Sequence, residues 1–383
     1  MAYTVARNHF PWEVLPLSAI HSFIRREPVL LIAALAALVS CFFVPPDEAY
    51  PGYLDLRTLA LLYCLMTVVA GLRQAGLFSV LAHRLCLRAG NLRSMGLLLV
   101  LLCFFSSLLI TNDVALLTFV PFAVVVLGMA GQSRALILVV VLQTVAANLG
   151  SMLTPVGNPQ NLYLYSYFDL SMGDFLSLTL PVWSLSLGLI LLACLLLPRE
   201  RLRPFLGEEP LLHRKELWLY LLLFAVCLST VLRLLPWPGM LAAVILTLLI
   251  FDRKILLRAD FMLLLTFVAF FIFAGNLSRM ESVDRLLRSL LAGREYWTAL
   301  LASQVISNVP AALLLSGFTD RAGALLLGVD VGGLGTPIAS LASLIAMKLY
   351  SHSEHAHSGR FLLVFTAVNL ALLVLLSPIA CRA

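Results

Sequence analysis

The sequence predicts an all-α polytopic membrane protein built from two inverted repeats, each carrying a re-entrant hairpin and a broken transmembrane helix. Three observations lead there. Of 383 residues, 61% are hydrophobic and 12% charged, against roughly 45–50% apolar and about 25% charged in a soluble domain. Mean hydropathy is +0.99. Apolar stretches recur from Pro28 to Pro378, each long enough to cross about 30 Å of hydrocarbon as a helix. A set of polar interruptions recurs in the same order in both halves. This composition excludes a soluble enzyme and leaves no room for a soluble catalytic domain.

Residues 1–27 mix Phe10, Trp12, Leu15 and Phe23 with Arg7, Arg25 and Arg26, without the small-residue cleavage site of a signal peptide, and read as an interfacial helix. Spans follow at about 28–44 and 57–71. The stretch between them holds Asp47, Glu48 and Asp55, whereas Arg73, Arg84, Arg88 and Arg93 follow the second span. The N-terminus is therefore expected in the cytoplasm. Two further basic clusters, Arg199, Arg201, Arg203, Arg214 and Lys215, then Arg253, Lys254 and Arg258, belong on the same side. The surplus of six positive charges is thus a topology signal and not a nucleic-acid surface. Seven cysteines at 41, 64, 86, 103, 194, 227 and 381 form no CxxC pair and read as small apolar residues.

Two apolar runs are not simple spans. The run from Gly96 to Gly128 carries Ser106, Ser107, Thr111, Asn112 and Asp113 at its middle, and that from Trp297 to Phe318 carries Ser303, Gln304, Ser307, Asn308 and Pro310. Polar backbone at membrane depth persists only where protein or a cavity satisfies it, so each run is expected to be a re-entrant hairpin. Nine full crossings remain, at 28–44, 57–71, 133–165, 175–197, 216–235, 238–252, 260–275, 321–350 and 360–379, and they keep every basic cluster inside and the C-terminus outside. The elements at 133–165 and 321–350 exceed a span and hold Gly, Pro and Asn, as broken helices do. The domain reading is an N-terminal segment at 1–27, a first membrane repeat at 28–198, a cytoplasmic linker at 199–215, and a second membrane repeat with a preceding linking helix at 216–383.

Ala70-Gly71-Leu72-Arg73 pairs with Ala274-Gly275-Asn276-Leu277, Ile110-Thr111-Asn112-Asp113 with Ile306-Ser307-Asn308-Val309, and Thr154-Pro155-Val156-Gly157 with Thr336-Pro337-Ile338-Ala339. The first copy's opening span ends inside and the second copy's ends outside, the inverted arrangement common among secondary transporters. An ionisable group at membrane depth marks function by default, which singles out Asp113. Pro155 and Pro159 free backbone carbonyls, and Gly150 and Gly157 admit close backbone approach. Asp330 stands where Asn148 stands in the first copy, and reads equally as a functional counterpart of that position and as a loop or helix-capping acid. His352, His355 and His357 with Glu354 read as a solvated connector, and the Phe267 to Phe273 cluster as packing. No phosphate-binding loop indicates ATP hydrolysis.

The strings Thr111-Asn112-Asp113-Val114-Ala115, Thr154-Pro155-Val156-Gly157-Asn158-Pro159-Gln160-Asn161 and Ser307-Asn308-Val309-Pro310 resemble the ion transporter superfamily, which includes the arsenite pump membrane subunit, citrate permeases and divalent anion/sodium symporters. The resemblance implies a secondary transporter for an anion or oxyacid coupled to Na⁺ or H⁺, with no other cofactor, working as a homodimer with elevator-like movement of the hairpin domain. It implies a first cation site at Ser107, Thr111, Asn112 and Gly157 and a second at Ser303, Ser307, Asn308 and Gly335. Substrate contacts are expected from Thr111, Asn112, Asp113, Thr154, Pro155, Asn158, Asn161, Ser307, Asn308, Thr336 and Pro337, and proton coupling from Asp113. Where the symporters carry Thr at the third tip position, this chain has Asp113 and Val309, as in the arsenite and proton-coupled branch. Two other readings stay open: a cation/proton antiporter, and the membrane subunit of an ATPase-driven oxyanion pump or a channel. A bacterial inner membrane is the expected location.

Overall fold

The computed structural model describes residues 27–129, 132–201, 209–353 and 356–382. The predicted interfacial segment, Arg203 in the linker, and Glu354 and His355 in the histidine-rich connector lie outside the described residues. Within them are seventeen α-helices and no β-strand. Four helices, Leu56–Gln74, Met172–Cys194, Phe261–Ser278 and Ser358–Ala380, are long and apolar enough to cross a bilayer unaided. Polar residues set helix starts. Asp55 accepts from Thr58 N, Ser171 from Asp174 N and Asp260 from Leu263 N, each at 3.0 Å, while Asn91 and Ser94 form a capping box. Each satisfies N–H groups that a helix start leaves unpaired.

In the first half, α1 (Pro28–Phe43), α2 (Leu56–Gln74) and α3 (Leu77–Cys86) lead into a hairpin of α4 (Leu92–Ser106) and α5 (Asn112–Met129). The long element then runs as α6 (Ser133–Ser151), a 3₁₀ turn at Pro155–Gly157 and α7 (Pro159–Tyr167), followed by α8 (Met172–Cys194). Helices α9 (Arg214–Val231) and α10 (Trp237–Phe251) connect to the second half. There α11 (Phe261–Ser278), α12 (Glu281–Leu291), the hairpin α13 (Glu295–Ile306) with α14 (Asn308–Leu315), the broken pair α15 (Ala322–Gly332) and α16 (Leu341–Ser351), and α17 (Ser358–Ala380) repeat the order. Both expected breaks are present. The first hairpin is a few residues longer than the polar pattern suggested, because Asn91 caps it further from the tip.

The two hairpins enter from opposite ends. Hairpin α4–α5 is rooted where Leu92 N donates to Glu200 O at 2.9 Å and Arg93 Nε to Leu197 O at 2.7 Å. That end also gathers the Arg84–Glu209 pair at 2.7 Å and the Tyr220 Oη to Asp252 bond at 2.8 Å. Hairpin α13–α14 is rooted at the other end, where Arg288 reaches Gly317 O at 3.3 Å. There Arg279 forks onto Asp47 at 2.6 and 3.0 Å and Arg233 meets Asp169 at 2.8 Å. The Arg279 guanidinium, by hydrogen bonding, holds the Asp47 carboxyl below the usual carboxylate range. The first end carries Arg73, Arg84, Arg88, Arg93, Arg199, Arg201, Arg214, Lys215, Arg253, Lys254 and Arg258, the clusters that the sequence places together, and is called the basic end below.

Close helix contact depends on two glycines at matching positions. A Cβ on Gly71 would overlap the Tyr220 ring, and one on Gly275 would stand 2.5 Å from the Tyr53 ring. These tyrosines come from α9 and from the turn after α1, so each repeat's opening helix is braced by a partner outside the hairpin unit. The apolar surface of α1, with Phe42 at 86% exposure and Phe43 at 67%, faces outward, as a lipid-facing helix does.

Candidate site at the hairpin tips and helix breaks

Each tip is fastened to its own break by the same contacts. Thr154 Oγ1 donates to Leu108 O in the first repeat, and Thr336 Oγ1 donates to Gln304 O at 3.1 Å in the second. Leu108 and Gln304 stand at equivalent tip positions. A Cβ on Gly150 would overlap the Phe104 carbonyl and lie 2.6 Å from Ser107 Oγ; one on Gly332 would lie 2.9 Å from Ser303 Cβ and Oγ. The close fit that Gly gives a backbone is therefore used twice, against matching serines.

The first break rests on Pro155 and Pro159, which cannot donate a backbone hydrogen bond, and Asn158 restarts the helix by accepting from Asn161 N at 2.9 Å. The second break uses Gly335 at φ +104° ahead of Pro337. Gln304 there stands in for a helical turn: its amide donates to Gly332 O at 2.7 Å and Leu334 O at 2.9 Å, while Oε1 accepts from Thr336 N at 2.9 Å. Ser307, at φ +73°, turns the second tip in the left-handed region that non-glycine residues rarely adopt.

The repeats meet at Asn148 on α6. Its Oδ1 accepts from Asn112 Nδ2 at 3.0 Å and from Ser340 Oγ at 3.1 Å, and its Nδ2 lies 3.5 Å from Gly333 O. One amide thus joins the first tip to the second break. Asn112 Oδ1 accepts from Asp113 N at 3.0 Å and Asn308 Oδ1 from Val309 N at 2.9 Å, so both tip amides also begin their helices.

A cavity of about 510 Å³ leads from the basic end to both tips. Asn112, Asp113, Ser307, Asn308, Gln160 and Ser340 form its inner part, and Glu27, Asp260 and Lys348 its mouth. A second cavity of about 550 Å³ reaches Thr111 and Asp113 past Arg73 and Asp260. Burial, and after it the Asp260 carboxylate, raises Glu27 above the ordinary carboxylate range. Asp113 is the one charged residue in either tip, and its Oδ1 is buried with no hydrogen-bond partner among the described residues.

Of the predicted site residues, Thr111, Asn112, Asp113, Ser307 and Asn308 line these cavities. Ser107 and Ser303 are buried behind the tips and donate to Phe104 O at 2.9 Å and Ala299 O at 2.8 Å. Gly157, at whose Cβ position the Ser107 carbonyl lies 2.8 Å away, Asn158 and Asn161 are buried within the first break. Thr154, Pro155, Gly335, Thr336 and Pro337 brace the breaks and line neither cavity. The sequence reading passed over Asn148 as a ligand partner, and over Gln160, Ser340, Asp260, Glu27 and Lys348. Gln160 and Asn148 lay inside strings already marked as polar; the mouth residues lay at helix ends, where charge is ordinary.

The profile of the family described as citrate transporter (CitMHS) matches residues 14–322. The inner membrane protein YbiR of Escherichia coli is 31% identical over 349 residues, 88% of this chain and 92% of that protein. An uncharacterised transporter of Methanocaldococcus jannaschii is 29% identical over 87% of this chain and 91% of its own length. The rice silicon efflux transporter is 32% identical over 167 residues, 43% of this chain and 33% of that protein.

Proposed function

The chain belongs to the citrate-transporter family, and from that premise we propose that it moves a small oxyacid or weak organic acid across the membrane in exchange or symport with H⁺ or Na⁺. It is a multi-pass membrane transporter and not an enzyme. The observation that carries the finer reading is the cavity joining both tips, with one unpartnered carboxylate, Asp113, at its inner end. The tips bring hydroxyls, amides and helix starts, groups that suit oxygen-rich substrates, and bring no cationic side chain. A fully ionised polyanion therefore needs its charge offset by bound cations or protons, whereas an uncharged oxyacid does not. The silicon efflux relative supports the oxyacid end of this range.

In this reading Thr111, Asn112, Ser307 and Asn308 hold substrate and coupling cation between the tips, and Asp113 carries the coupling proton. The first cation is held by Ser107, Thr111, Asn112 and Gly157 and the second by Ser303, Ser307, Asn308 and Gly335, with the breaks supplying the remaining substrate contacts. The hairpins and broken helices move together as an elevator against α1, α2, α9 and α11 in a homodimer of the inner membrane. The basic end faces the cytoplasm, so the cavity is open inward. The same free carboxylate also suits a cation/proton antiporter, and one assay separates the two. Reconstituted protein is tested for acid uptake under imposed pH or Na⁺ gradients, beside Asp113→Asn. The account expects gradient-driven, saturable uptake in the parent and loss of its pH dependence in the variant with substrate binding retained. Na⁺ alone discharging the pH gradient, with no response to any acid, favours the antiporter; an unchanged pH profile in Asp113→Asn removes the proton role.

A further inference from the structure

Behind the cavity, between the two breaks, lies a second carboxylate to which the tip mechanism gives no task. Asp330 on α15 is 3% exposed and lines neither cavity. Its Oδ1 lies 3.5 Å from Asn158 Nδ2, and its Oδ2 finds no hydrogen-bond partner among the described residues. Asn161 Oδ1, on a fully buried side chain, is likewise unpartnered.

Among the described residues, no compensating charge comes from the helices packed on α15. On α7, Tyr163 is bound to Ser316 Oγ at 2.7 Å and Tyr165 to Val231 O at 3.1 Å. The charged residues of α13, α8 and α17 are Glu295, Asp174 and Arg360, all in first turns at the membrane ends. On α14 and α6 the buried polar groups nearest the tips and breaks are the neutral side chains of Asn308, Asn148 and Ser151, the last accepting from Asn158 Nδ2 at 3.1 Å. Taking an ionised carboxylate out of water without a partner is prohibitive, and such a group in a membrane protein marks an ion or proton path.

The contrast with the matching position in the first repeat sharpens the point. Asn148 uses acceptor and donor together, toward Asn112, Ser340 and Gly333. An ionised carboxylate only accepts, and Asp330 keeps one oxygen unpartnered where Asn148 uses both ends of its amide. Gln160, two residues along α7 from the Asn158 that contacts Asp330, lines the cavity wall and places this pocket just behind it.

We infer that the buried Asp330 carboxyl, against Asn158 of the first break, is a cation-binding site distinct from the hairpin tips, taking one proton or one Na⁺ that enters and leaves past Gln160. This rests on the transporter reading above, and adds one coupling cation held where Asp330 of the second repeat meets the break of the first. Both ligands supply the same single positive charge to oxygen donors, and the test tells them apart.

Infrared difference spectra of purified Asp113→Asn protein, in which the tip carboxylate is gone, are recorded on raising pH and, separately, on replacing K⁺ with Na⁺ at fixed pH. The expected result is a buried carboxyl signal that survives in Asp113→Asn and is lost in the Asp113→Asn/Asp330→Asn double variant. A response to pH alone identifies the proton; a response to Na⁺ at fixed pH identifies Na⁺. Absence of any such signal in folded Asp113→Asn overturns the site without needing the double variant to fold. In proteoliposomes, Asp330→Asn is expected to move one fewer cation per substrate while still transporting, and an unchanged ratio overturns the inference. The tip reading fails on a different result, parent-level transport by Asn112→Ala and Asn308→Ala, so the two are separable.

Discussion

The two repeats share a skeleton and differ in charge. Each places a threonine on a tip carbonyl, a glycine against a tip serine and an asparagine at the start of the returning hairpin helix. Yet the residue after that asparagine is Asp113 in one copy and Val309 in the other, and the break position that is Asn148 in the first is Asp330 in the second. Geometry is thus kept where backbone must pack on backbone, and chemistry diverges where a side chain meets the cavity or the pocket behind it. The two acids fall in different repeats, one at a tip and one at a break. A symmetric frame can move as a unit while its two halves hold different ions.

The comparison is broken hardest by removing the tip amides. Asn112→Ala and Asn308→Ala are each expected to abolish gradient-driven transport in proteoliposomes. They differ in stability: Asn112→Ala removes one of the two bonds to Asn148 Oδ1, leaving that from Ser340, and is expected to cost about 1 kcal/mol, whereas Asn308 bonds within its own turn and its loss leaves thermal unfolding near the parent. Parent-level transport by both variants removes the tips from the site. Next come the paired glycines. Gly150→Ala drives a Cβ into the Phe104 carbonyl and is expected to cost about 1–3 kcal/mol as overpacking. Gly332→Ala meets Ser303 Cβ and Oγ at 2.9 Å and Leu300 Cα at 3.0 Å, against outright overlap with the Phe104 carbonyl at Gly150, and is expected to cost less; a reversed order contradicts the packing described. The smallest effect is expected for the threonines. Thr154→Val removes a half-buried hydrogen bond and costs about 1 kcal/mol, while Thr336 is exposed and its 3.1 Å bond is less shielded, so Thr336→Val is expected to shift the unfolding temperature less.

Much of this was legible in the sequence because membrane helices punish polarity. Ser-Ser-Leu-Leu-Ile-Thr-Asn-Asp in an apolar run, and Pro155 and Pro159 between spans, have few physical explanations other than a hairpin tip and a helix break. Hairpin, break and inverted order followed from those interruptions. What the sequence did not show was which break touches which tip. Asn148 and Ser340 are 192 residues apart, and helical periodicity reports the face of a helix, not its neighbour. Asp330 read equally as a capping acid because a lone carboxylate near glycines caps helices often; only its full burial on α15 separates the two readings. The cavity mouth escaped notice since Asp260 and Lys348 sit at helix ends, where charged residues are commonplace.

A transporter of the proposed kind builds one site from both repeats and opens it to a single face at a time. A single cysteine at Val309, which lines the cavity at the second tip, tests it in a background whose native cysteines are replaced. Membrane-impermeant thiol reagent is applied to right-side-out and to inside-out vesicles. The account predicts modification from the face bearing Arg84 and Arg201, protection by transported substrate, and transfer of reactivity to the opposite face when an imposed ion gradient drives the carrier outward. Equal reactivity from both faces at once, indifferent to the gradient, contradicts it and describes a channel.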